Sequence, residues 1–438
     1  MASIMAKMDK VALKVVVAVI LWTIIGLTFY SVSNFITALS FMILAIAILV
    51  ICWKGYGTVA NFVGIFGFFW FFVLGLSCLQ LHGLQVGWKD ETWACLIIAY
   101  LAFLAGYTIH NHMKKDVSML EKEKITKKSF FRLLVIIAAT VSVAFVIEVL
   151  IRKEIPIFSK NMSSYMNFGV SGIHYFTVSS CLMLPLSIIY MFKYWKNEKP
   201  SIREIATIIC INVAMFAIPF LIVSRQLIVI TLIISATTVL ILKPKLAGII
   251  IMVTAVVGVL GWAVISTYRN QDVEYLRTAL EIDTESAADV RLMQVYMYAA
   301  CGFDNFNVNV GNVEEYTYGR KVLFPAFALT GLKFIIPGIE DENLGRITPR
   351  FNTYPVVMKP YQDFGILGII LYMMIIGFLC RYVDRLGQGK PTYIIIKVLL
   401  IYCLAITFFN NAFASATIWF YIIMMIAIDK IYFRGKSL

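Results

Sequence analysis

The sequence predicts an all-α integral membrane protein with about twelve transmembrane helices and one large outer loop. Three observations point there. Of the 438 residues, 61% are hydrophobic and 14% charged, whereas a soluble domain carries about a quarter charged residues. The apolar residues gather into stretches of about 20, the length that crosses a bilayer as a helix. Finally, the basic residues fall mostly in short runs between those stretches, the pattern of cytoplasmic loops.

The expected spans are 11–30, 34–53, 58–80, 92–110, 129–151, 172–192, 205–222, 226–242, 246–266, 361–380, 393–409 and 412–429. This divides the chain into residues 1–266 with nine spans, a large outer loop at 267–360, and residues 361–438 with the last three. With the N-terminus in the cytoplasm, 24 of the 38 basic residues fall inside, while 17 of the 25 acidic residues fall outside. Both termini are therefore expected in the cytoplasm. The net charge of +13 is accounted for by this topology, so no nucleic-acid partner is expected; the expected surroundings are a lipid bilayer. The eight cysteines lie mostly in apolar stretches and show no disulfide or metal-ligand spacing. No metal and no cofactor is expected. The first apolar stretch lacks a small-residue cleavage site, so no cleavable signal peptide is expected.

Outer segments 81–91, 152–171 and 267–360 exceed simple turns, and loops of such length are usually functional. In the third, Val290, Met293, Met297 and Cys301 recur at helical spacing on one face. Residues 320–336 form an apolar run broken by Pro325 and Lys333, as expected of an interfacial or re-entrant helix.

The outer face favours arginine: 8 of its 14 basic residues, against 5 of 24 inside. Topology needs only charge, but a guanidinium offers a planar fork of donors that fits phosphate oxygens. The outer arginines are Arg152, Arg225, Arg269, Arg277, Arg291, Arg320, Arg346 and Arg350; ordinary salt bridges with outer carboxylates are the alternative. Arg225 stands out because Ser224-Arg225-Gln226 interrupts an otherwise apolar stretch, and ionisable groups there are usually functional. A plain turn with the arginine among headgroups is the other reading. Glu148, near the outer end of a span, pairs with Arg152 at i,i+4 or serves as a partly desolvated general base. His82 and His174 lie outside and read as structural; His110 and His112 lie inside. Glu340-Asp341-Glu342 reads as a solvated turn.

Over residues 145–375 the chain resembles the O-antigen polymerase (oligosaccharide repeat-unit polymerase) group of bacterial membrane proteins. The resemblance is carried in order by Ile155-Pro156-Ile-Phe158, Ser224-Arg225, Phe303-Asp-Asn-Phe-Asn307, Tyr318-Gly319 with the run to Ile336-Pro337, Phe351-Asn352-Thr353-Tyr354, and Tyr361-Gln-Asp363-Phe-Gly365-Ile-Leu-Gly368. The chain departs from the family pattern at Pro355 and Lys359-Pro360.

The resemblance implies a GT-C-like membrane fold in the bacterial cytoplasmic membrane. It also implies metal-independent glycosyl transfer between undecaprenyl-pyrophosphate-linked oligosaccharides at the outer face, and it admits a chain-length regulator as partner. On that footing Arg225, with Arg291, Arg320 or Arg350, is expected to hold pyrophosphate, and Asn352 and Tyr354 to contact sugar or phosphate. Glu148 or Asp363 is the expected base, with a helix N-cap the alternative for Asp363. An O-antigen ligase would lean on a histidine in the large outer loop, and residues 267–360 contain none. A transporter or flippase would favour polar spans and short loops; here the spans are nearly charge-free.

Overall fold

The computed structural model describes residues 2–109, 126–159, 164–196, 198–268, 273–282, 289–313, 315–336, 344–348, 351–386 and 390–433. Among them every regular element is helical and none is a strand. Eight helices are long and apolar enough to cross a bilayer: Lys10–Tyr30, Asn34–Tyr56, Asp90–Ile109, Lys127–Arg152, His174–Trp195, Ile202–Leu221, Arg225–Leu242 and Met358–Leu386. The protein is thus an all-α, multi-pass membrane protein by length and composition. Shorter apolar helices at Phe62–Cys78, Pro244–Gly258 and Pro391–Ala405 occupy further expected spans. Phe62–Cys78, opened by the Asn61 cap, rises only about 26 Å at 1.5 Å per residue, short of the hydrocarbon thickness of about 30 Å.

The chain packs as two units, Met1–Lys115 with Asp272–Leu386 and Cys403–Trp419, and Asp116–Gln271 with Gly387–Tyr402 and Phe420–Leu438. This differs from the linear division at 266 and 360, because most of residues 267–360 group with the first helices. Its helix Val290–Asn309 packs on Phe62–Cys78. The Ser77 hydroxyl donates to the Ala300 carbonyl at 2.8 Å, and the Phe303 ring meets Trp70 edge-on at 5.0 Å.

In the first unit, Asp90–Ile109 and Met358–Leu386 lie against each other along their length. They approach because both carry glycine at the crossing: a Cβ at Gly106 would stand 1.9 Å from the Met374 carbonyl, and one at Gly377 2.1 Å from that of Phe103. In lipid, where burial supplies no drive between helices, close backbone packing of this kind holds them together. Met358–Leu386 breaks at Phe364 and Gly365, where φ 61 and ψ −145 at Gly365 suit only glycine.

In the second unit, His174–Trp195 is not uniform. It passes through a 3-10 turn at Ser179–Leu182 and ends in a π turn at Met191–Trp195. Pro185 has no N–H for the carbonyl four residues earlier, which accounts for the tightened turn. The Tyr421 hydroxyl satisfies a carbonyl in this stretch, that of Val178, at 2.7 Å.

Overfilling the glycine crossing should be costly. Gly377→Leu is expected to destabilise the protein by at least about 1–3 kcal/mol, seen as a lower thermal midpoint in detergent. Gly248→Leu, placed where nothing lies within 4 Å, is expected to leave the midpoint unchanged.

Candidate functional site

In the second unit the C-terminal end of Lys127–Arg152 is roofed by residues 168–174. Glu148 is fully buried. Its carboxylate accepts from the Val170 N–H at 2.8 Å and from His174 Nδ1 at 3.0 Å. The i,i+4 ion pair with Arg152 does not form. Arg152 instead donates from Nε to the Phe168 carbonyl at 3.1 Å and from Nη2 to that of Gly169 at 2.6 Å. The reason is local: the roof offers donors to the acid and acceptors to the base, so each finds a better partner than the other.

This changes which group is available for proton transfer. A carboxylate can only accept, so Nδ1 of His174 donates in this hydrogen bond and Nε2 is the ring nitrogen that Glu148 does not engage. The His174 side chain is 38% exposed while Glu148 is closed off. The geometry is that of an oriented imidazole, one nitrogen fixed by an acid and the other not engaged by it. His174 read as structural in sequence because its partner lies on another helix.

Arg225 opens the helix Arg225–Leu242, whose cap is Ser224; the Ser224 hydroxyl accepts from the Leu227 N–H. Arg225 is 8% exposed. The turn before it is tight: Ser224 N–H donates to the Pro219 carbonyl and Val223 N–H to that of Phe220. Val223 takes φ 54, a left-handed conformation that strains a β-branched residue by an amount on the order of 1–3 kcal/mol. Ile157 and Tyr165 from the second outer loop pack on Val223 and Ile228. Two stretches far apart in sequence, 155–158 and 224–225, are thereby adjacent. The 3-10 turn Ser179–Leu182, which follows His174–Val178, packs on Arg225–Leu242 as well.

In the first unit, Val290–Asn309 starts at the Asp289 cap and buries Val290, Met297 and Cys301 against Leu276, Leu280 and Phe351, with Met293 half-buried beside them. Its last turns then become polar yet stay buried. Asp304 accepts from the Gln85 amide and the Trp88 indole N–H, each at 2.7 Å. The Asn307 side-chain oxygen accepts from the Lys89 N–H and the Thr92 hydroxyl, each at 2.8 Å. On the other face, the Asn305 amide donates to the carbonyls of Phe351 and Thr353 at 2.9 Å and accepts from Ile347 N–H. Asn309 and Gly345 exchange a pair of hydrogen bonds at 2.9 Å. The stretch Phe303 to Asn307 is thus a clamp on two loops, a role its spacing did not reveal. His82 belongs to the same loop and is structural: Nε2 donates to the Leu280 carbonyl at 2.7 Å, and Nδ1 accepts from Leu84 N–H.

Asp363 is fully buried, and it is not an N-cap. Its carboxylate accepts from the Thr317 hydroxyl and from the N–H groups of Lys321 (3.1 Å) and Val322 (2.9 Å), holding the turn that presents Arg320. With three donors from its own chain it acts here as a latch. Arg320 and Arg291 are exposed, as is Asn352. The Tyr354 hydroxyl accepts from Arg346 Nε at 3.1 Å and lies 3.2 Å from the Gly345 carbonyl. Arg350, Arg269 and the Glu340-Asp341-Glu342 run lie outside the described residues. Glu148 and Arg225 therefore belong to one unit; Arg291, Arg320, Asn352, Tyr354 and Asp363 belong to the other.

A cavity of about 460 Å3 opens at the far end of Lys127–Arg152, lined by Lys127, Tyr190, Arg203 and Glu204 among others. Lys127 and Glu148 are about 31 Å apart along the helix, so this cavity is separate from the residues around His174. Glu204 is engaged there by Lys127 at 3.0 Å, Tyr190 at 2.9 Å and Trp195 at 2.7 Å.

Burial pushes the Asp304 carboxyl up from 3.8 to about 6, against the opposing Trp88 and Gln85 hydrogen bonds. The folded chain then holds this proton to a higher pH than the unfolded chain does. The group favours folding most below about pH 3.8, and that contribution falls as pH rises through about 6. The difference amounts to about 3 kcal/mol at 1.4 kcal/mol per pH unit. The expected outcome is that Asp304→Asn flattens the fall of the thermal midpoint between pH 4 and 7; a wild-type slope in the variant would contradict the assignment.

Comparison of the chain with protein-family models, with curated proteins and with solved structures finds no match.

Proposed function

We propose that the protein is a membrane glycosyltransferase that polymerises oligosaccharide repeat units carried on undecaprenyl pyrophosphate, at the outer face of the bacterial cytoplasmic membrane. The observation that carries this reading is Arg225: a guanidinium buried at the start of an apolar helix, after a strained turn whose Val223 belongs to the cluster that Ile157 packs against. Such a group is costly at a membrane boundary and marks a functional site by default. The helix N-terminus adds partial positive charge at the same point.

The chemistry follows from these parts. The terminal hydroxyl of one lipid-linked repeat unit attacks the anomeric carbon of the sugar at the diphosphate of a second. The new glycosidic C–O bond forms as the bond to the diphosphate oxygen breaks, and the leaving lipid diphosphate takes the electron pair. His174 Nε2 receives the hydroxyl proton, with Glu148 holding the ring and offsetting its gained charge. Arg225 meets the charge on the diphosphate, where preorganised donors act most strongly. Arg291, Arg320 and Arg350, with Asn352 and Tyr354, are assigned to substrate on the resemblance alone. Asp363 positions the Arg320 turn rather than acting as base. A GT-C-like arrangement, cytoplasmic termini and a chain-length regulator as partner belong to the same proposal.

The test is reconstitution with lipid-pyrophosphate-linked repeat units, with polymer length read on gels. Arg225→Ala is expected to lower elongation by about 100- to 1,000-fold while the protein stays in the membrane. His174→Ala is expected to do the same, and Glu148→Gln to slow the reaction less. Normal chain lengths from the Arg225→Ala protein would falsify the site.

A further inference from the structure

Residues 316–336 of the first unit form short helical turns whose apolar side chains stay at the surface. The helix Phe324–Thr330 ends at Gly331, in the left-handed region, and a single 3-10 turn follows at Leu332–Phe334. Such a short element would ordinarily fold its apolar side chains inward. Instead Phe334 is 72% and Ile335 75% exposed, and Leu332 and Leu323 are exposed beside them. Contiguous apolar exposure of this kind marks an interaction surface.

Two observations identify the partner as lipid. The first is continuity. Leu367, Leu371, Ile375 and Leu379 form an exposed stripe along Met358–Leu386, each four residues from the next on one face, and the exposed Phe364 stands at the backbone break where this stripe begins. A spanning helix turns such a face to acyl chains. The segment is fastened at the top of that stripe: the Tyr318 ring meets Phe364 edge-on at 6.1 Å, and Lys359 lies 5.8 Å over the Phe324 ring. The second is charge. From Tyr316 to Ile336 the chain holds Arg320 and Lys333 outside the core, with Lys321 buried, and no acidic residue. Lys333 sits over the neighbouring Phe334 ring at 5.1 Å, its cation at the border of the apolar patch. Apolar side chains below and cations at the rim match the boundary between acyl chains and phosphates.

We propose that residues 323–335 lie in one leaflet of the bilayer, with Leu332, Phe334 and Ile335 among acyl chains and Lys333 and Arg320 against lipid phosphates. This rests on the membrane fold and not on the glycosyltransferase reading, so either can fail alone.

The unmodified protein in phosphatidylethanolamine–phosphatidylglycerol liposomes, with a phospholipid carrying an acyl-chain diazirine, provides the test. After photolysis, lipid adducts are mapped by mass spectrometry. Residues 332–335 are expected to label like the Leu367–Ile375 stripe and severalfold above residues 311–313. Background labelling at 332–335 beside a heavily labelled stripe overturns the proposal, as does an unlabelled stripe. Protein–protein adducts at 332–335 in place of lipid adducts would assign the surface to a second copy and also overturn it. Lys333→Glu is expected to lower labelling at 332–335 severalfold with the stripe unchanged; unchanged labelling there overturns the phosphate contact.

Discussion

The loops of the first unit depend on one device: buried amide and carboxylate side chains at the end of Val290–Asn309 that satisfy the polar groups of two of them. Asp304 and Asn307, three residues apart, face the 85–92 loop. Asn305 and Asn309, four apart, face the 345–353 loop. Helical geometry puts each pair on one face. Loops near a membrane cannot rely on water to satisfy every backbone group, and each buried amide left alone would cost on the order of 1–3 kcal/mol. The helix therefore serves as a template on which irregular chain becomes ordered.

The second unit meets the same constraint differently. There an acid is taken out of solvent and given a backbone N–H and an imidazole as partners, while the neighbouring arginine is spent on backbone carbonyls. Charge and backbone compensate each other over a single turn of roof. The result is a histidine with one nitrogen fixed by an acid, on a short helix whose following 3-10 turn packs on the helix that begins with Arg225. These features give the proposed group transfer its physical plausibility.

Much of the fold was legible from the sequence. The apolar stretches became helices because in lipid the backbone has few other ways to pair its polar groups, and the Val290–Cys301 face is buried as its period requires. Arg225 was visible because a charge interrupts apolar sequence. What stayed hidden was long-range. Glu148 and Arg152 looked like a pair on spacing, yet the partners each takes come from residues 168–174. Asp363 looked like the cap of a helix, but its carboxylate is taken by residues 317–322, just before the backbone break at Phe364 and Gly365. The string Phe303 to Asn307 reads as an ordinary mix of aromatic and polar residues until the loops it holds are in place. Each of these depends on which backbone arrives opposite a side chain, and spacing along one helix carries no record of that.

The paired faces of Val290–Asn309 also bear on how such a chain can change over evolutionary time. Gln85, Trp88, Lys89 and Thr92 must meet two fixed side chains, and Gly345, Ile347, Phe351 and Thr353 must meet two others. A one-residue insertion in either stretch would shift every later donor and acceptor out of reach at once. Length variation among descendants should accordingly be tolerated outside 85–92 and 345–353 and purged within them, so that these two short stretches keep constant length while their exposed side chains drift.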